Sequence, residues 1–136
     1  MPMKALQIVS AMVELGAGLA LLSYPSVAVA LLVGARLEEP AALTVARVCG
    51  AALLALGVAC WLARGDAQSP AANGLIAAML FYDVVVAALL SFAALGNELY
   101  GIALWPAVVL HTLMSIWCVV CLRHSYLKMS PLESRS

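Results

Sequence analysis

The chain has 136 residues, of which 65% are apolar and 10% charged, with a mean hydropathy of +1.06. A soluble domain carries about 45–50% apolar and about 25% charged residues, so these figures exclude a soluble globular fold. Seven Lys and Arg balance seven Asp and Glu, which leaves neither a basic field for nucleic acid nor an acidic tail for a basic partner.

In chain order, four uninterrupted apolar runs stand out: Ala5 to Tyr24, Ala41 to Ala63, Ala71 to Leu95 and Gly101 to Leu122, of 20, 23, 25 and 22 residues. About 20 residues of helix cross the hydrocarbon core, so each run predicts a transmembrane helix. Between the first and second runs, Ser26 to Ala35 is apolar but too short to cross, and Pro25 suits the first turn of a helix. A short interfacial or re-entrant helix is expected there. Ala28-Val29-Ala30 has the form of a signal cleavage site, but Glu14 interrupts the apolar stretch and Lys4 alone supplies positive charge before it. The first run is therefore read as a retained helix. The breaks carry turn and charge signals: Arg36 to Pro40, Arg64-Gly65-Asp66 to Pro70, and Gly96-Asn97-Glu98.

The expected fold class is all-α: a transmembrane four-helix up-down bundle with a short interfacial helix between the first and second spans. It forms a single integral membrane domain over residues 1–136, closed by a polar tail at 123–136. Lys4, Arg64, Arg123, Lys128 and Arg135 fall on one side and Arg36 alone on the other. The positive-inside rule then predicts both termini in the cytoplasm, in a bacterial inner membrane. Trp61, Trp105, Trp117, Tyr24 and Tyr100 lie near run ends, where amphipathic rings favour the interface.

Each of the first three runs holds one charged residue, Glu14, Arg47 and Asp83, and the fourth holds His111. A charge at the bilayer centre costs at least about 2.5–3.5 kcal/mol, so these groups are expected to meet one another inside the bundle. At about 1.5 Å per residue, Glu14 and His111 lie about 15 Å below the outer run ends, Asp83 about 18 Å and Arg47 about 9 Å. Arg47 is expected to reach inward to the acids, backed by the alanine ridge Ala51, Ala55, Ala59 and Ala63. Tyr82, Ser91, Thr112 and Ser115 could extend the cluster. Two readings stay open: a structural ion-pair network that fixes register, or a ligand pocket or proton path.

Other motifs carry less. Cys118 and Cys121 have redox spacing, but the pair adjoins Arg123 at the expected cytoplasmic end, where thiols stay reduced. Cys118, Cys121 and His124 lack a fourth metal ligand nearby. His111 lacks a second axial partner for haem, because His124 lies about 20 Å along the same helix.

Glu14-Leu15-Gly16-Ala17-Gly18-Leu19, the Pro25 segment ending Leu32-Val33-Gly34, and Arg47 with Gly50, Leu56 and Gly57 resemble the small bacterial DoxX-like membrane proteins, over roughly the first half of the chain. That resemblance implies an accessory subunit of a quinol-oxidase or thiol-redox complex, and it carries over no catalytic residue. The bundle also looks like the sterol-isomerase-like proteins in placing acids, here Glu14 and Asp83, around an apolar ligand. The function expected is an accessory or apolar-ligand-binding protein, with a quinone or lipid as candidate ligand and no other cofactor. The alternative is a proton-linked carrier or lipid-modifying enzyme using the same cluster. Its partners would be the lipid bilayer and either a larger membrane complex or further copies of itself.

Overall fold

A computed structural model of the chain describes residues 2–66 and 69–133. It is all-helical: α1 (Pro2–Ser23), α2 (Pro25–Val33), α3 (Pro40–Ala63), α4 (Pro70–Gly96) and α5 (Leu104–Glu133). Four of these are long and apolar enough to cross a membrane, over Met3–Ser23, Pro40–Ala63, Pro70–Gly96 and Leu104–Ser125.

Local chemistry sets the helix boundaries. Proline opens α2, α3 and α4 at the first turn, where its missing N–H and fixed φ cost nothing. Before α4, Ser69 Oγ also accepts from the Ala72 N–H at 3.1 Å, a standard N-cap. At the end of α2, Gly34 adopts φ 80 and donates its N–H to the Ala30 carbonyl. That left-handed conformation is open to glycine at little cost.

Helix α5 continues past its last span into the polar tail, as far as Glu133. Ser125 Oγ donates to the Cys121 carbonyl there, so the helix carries a polar extension past its last span. Residues 134–136, which include Arg135, lie outside the described residues, as do Met1, Ala67 and Gln68.

The surface is that of a membrane protein. Leu19, Leu62, Phe81, Leu89, Phe92, Leu95 and Leu113 are exposed, while Gln7, Ser10, Glu14, Asp83 and His111 are buried. Only 17–33% of each spanning window is covered by the protein itself. The helices thus touch along narrow stripes, and the remaining apolar surface needs lipid.

Those stripes repeat at alternating spacings of three and four: Met3, Gln7, Ser10, Glu14 on α1, Ala72, Ile76, Met79, Asp83 on α4, and His111, Met114, Cys118, Cys121 on α5. This spacing gives left-handed packing of nearly parallel or antiparallel helices. Helix α1 packs chiefly on α3, and α4 on α5. The α1–α3 contact is built on glycine. A Cβ on Gly18 would stand 2.8 Å from the Gly50 carbonyl, and one on Gly57 would stand 2.8 Å from Leu15. Backbones approach closely only because neither glycine has a side chain. As α1 residue numbers rise, their α3 partners fall, so the pair is antiparallel. At the end where these helices turn, the Ala103 N–H donates to the Leu31 carbonyl at 2.9 Å, tying α2 to the start of α5.

Candidate functional site: a buried acid and imidazole centre

Glu14, Asp83 and His111 stand 12, 13 and 14 residues from Pro2, Pro70 and Ser125, the ends of their spans on one face of the bundle. At about 1.5 Å per residue they share a level about 18–21 Å in from that face. The stripes described above then turn all three toward the space between the α1–α3 and α4–α5 pairs. Glu14 is 2% exposed, Asp83 1% and His111 9%.

The closest contact joins α4 to α5. His111 Nδ1 lies 2.7 Å from Asp83 Oδ1, so the two atoms share a proton. On the ring, the proton makes Nδ1–H the donor to a carboxylate; on the carboxyl, it makes Asp83 the donor to the ring. The Tyr82 ring meets the imidazole edge-on, with centroids 5.7 Å apart at 81°, a favourable aromatic geometry. Glu14 enters from α1 and faces Asp83, His111 and the Tyr82 hydroxyl. The thiols of Cys60 on α3 and Cys118 on α5 lie alongside the acids. Ser115 Oγ donates to the His111 carbonyl at 2.9 Å; it braces the α5 backbone and leaves the imidazole free.

Arg47 corrects the sequence reading, because it is exposed on α3 and takes no part in the centre. The buried face of α3 is Ala46, Gly50, Gly57 and Cys60. A ridge at constant spacing four advances about 40° per step when each residue turns about 100°, so the alanines after Arg47 wind off the packed stripe. Glycine, which allows closer approach to α1, takes the contact instead. Ser91 and Thr112 also stay outside the centre, donating to the Ala87 and Val108 carbonyls.

Sequence reading overlooked Gln7, Asn73 and Cys60. Gln7 and Ser10 are each 1% exposed, and Gln7 Nε2 and Oε1, Ser10 Oγ, Glu14 Oε2, Asn73 Oδ1 and Asp83 Oδ2 have no hydrogen-bond partner among the described residues. The spacing Gln7, Ser10, Glu14 was the available signal, since it places three polar groups on one helical face.

Without Arg47, no described Lys or Arg side chain is buried beside the acids. Two carboxylates and one imidazole are electrically neutral only when two protons are spread over the three groups. A net charge at this depth is costly. Comparison with protein-family models, with curated proteins and with solved structures finds no match to this chain.

Proposed function

We propose that the protein is a proton-linked carrier whose working part is the Glu14–Asp83–His111 centre, with Tyr82 beside it. One observation carries this reading: two buried carboxylates and an imidazole meet at mid-depth with no buried guanidinium or ammonium among the described residues to neutralise them. A structural ion pair would join fixed opposite charges, whereas this set changes charge with each proton gained or lost. Coupled to movement of the two helix pairs, that change can bias which side a carried solute meets. The Lys and Arg distribution supports both termini in the cytoplasm of a bacterial inner membrane, and placement among the DoxX-like proteins belongs to the same proposal.

The test is an infrared pH titration of the protein in vesicles, following the carbonyl stretch of protonated carboxyl groups. Expected are bands that come and go with pH and are lost separately in Glu14→Gln and Asp83→Asn. Carboxyl bands that ignore pH throughout the folded range would refute proton exchange.

A second reading has its own support. Glu14 Oε2 and Asp83 Oδ2 are left without partners, two acceptors facing the bundle interior that suit the hydroxyl of a quinol-like or lipid-like ligand in an accessory subunit. Native mass spectrometry of the protein in mild detergent separates the readings. A stoichiometric apolar ligand, or a larger complex, favours the accessory role; a bare chain favours the carrier.

A further inference from the structure

We propose that Asn73, Gln7 and Ser10 form a proton-conducting path from the face where α1 and α4 begin to Glu14; this rests on the proton-exchange reading above. The path takes the form of a ladder. Gln7, Ser10 and Glu14 follow one another on the buried stripe of α1, each step rising about 4.5–6 Å along the helix. A single water bridging two polar groups spans about that distance. Asn73, three residues into α4, stands nearer the same face than Gln7 does.

Two observations distinguish the ladder from ordinary buried polar residues. Every polar side-chain atom of Gln7 and Ser10 lacks a partner among the described residues, as do Asn73 Oδ1 and Glu14 Oε2. Native proteins rarely leave such groups orphaned, because each unpaired one costs about 1–3 kcal/mol, and ordered water is the usual partner. The second observation is asymmetry about the centre. On the far side, Ser91 satisfies itself on the Ala87 carbonyl, and the buried residues there, Gly18, Pro25, Ala46, Gly50, Ala94 and Leu104, carry no polar side chain. Among the described residues, buried polar side-chain atoms without a protein partner thus lie at the centre or between it and one face only.

Met3, Leu6, Ile76, Met79, Cys118 and Cys121 belong to one buried apolar cluster in the interior. The titratable groups facing Glu14 are Asp83 and Tyr82 from α4, His111 from α5 and Cys60 from α3. In each delivery a hydronium arising at the ladder mouth passes its proton along bridging waters. The last water protonates Glu14, forming a carboxyl O–H and leaving neutral water behind. Glu14 then exchanges its proton with the Asp83–His111 pair.

The experiment is time-resolved infrared after a pH jump applied to vesicles, reading both the rate and the end point of the Glu14 carboxyl band. Gln7→Leu and Ser10→Ala are expected to slow its appearance by about tenfold or more and to leave the end point unchanged. Ser10→Thr, which keeps the hydroxyl, restores the rate; the unchanged end point shows that each variant is folded. Ser91→Ala leaves the rate alone. Unchanged rates in both ladder variants overturn the path while leaving the proton-exchange reading intact. Slowing by Ser91→Ala instead overturns it in favour of access from the opposite face. A Glu14 band that never responds to pH defeats the underlying reading itself.

Discussion

Asp83 and His111 are polar partners of one another in the interior, at 2.7 Å. His111→Ala strands a buried acid, and breaking such a pair from one side costs about 3–5 kcal/mol. Asp83→Asn keeps an acceptor for Nδ1–H and is expected to cost about 1 kcal/mol. Unfolding in mixed detergents, compared across the two variants, measures the difference; equal losses would contradict the stranded acid as the source of the larger cost. Arg47→Ala gives the opposite contrast. Since Arg47 is exposed on α3, its removal is expected to shift stability by no more than about 0.5 kcal/mol, and a large loss would return the guanidinium to the interior. The acids and the imidazole were legible in the sequence because a charge in an apolar run stands out whichever way its helix turns. The direction of Arg47 was not legible, because it depends on which neighbouring stripe packs, and glycine decided that.

At the scale of elements, the four spans follow from apolar run length, and their proline openings and glycine stop agree with local rules. The pairing of α1 with α3 was less visible. It depends on Gly18, Gly50 and Gly57 having no side chains, and a glycine in an apolar run looks the same whether it faces lipid or another helix. Gly50→Leu tests this pairing, because even a Cβ there would stand 2.8 Å from the Leu22 backbone nitrogen. Overpacking of this kind is expected to cost about 1–3 kcal/mol, read as a lowered melting temperature in detergent. Gly16→Leu, where a Cβ meets nothing within 4 Å, serves as the control and should leave the melting temperature near that of the wild type. Equal effects would remove the glycine contact from the explanation. Apolar run length ends the fourth span near Leu122 and gives no signal for the continuation of α5 to Glu133, because helix formation there needs no apolar face.

At the scale of the whole molecule, leucines and phenylalanines face outward, while the interior combines an apolar cluster with two acids, an imidazole, a glutamine and a serine. Lipid solvates the outer surface, so the interior is free to specialise in polar chemistry. Topology is checked by reporter fusions: those at Arg36 and Glu98 are expected outside the cytoplasm and one after Lys128 inside. A reversed pattern would move the ladder mouth to the outer side and reverse the direction of proton delivery.

Proton exchange at the centre is tested most directly by counting protons. Vesicles carrying the protein are shifted between about pH 8 and about pH 5 in weak buffer, and the uptake is compared with that of Glu14→Gln/Asp83→Asn/His111→Gln. Greater uptake by the wild type, by a whole proton or more per chain, is the expected result. Identical uptake by the two proteins would contradict a proton-exchanging centre.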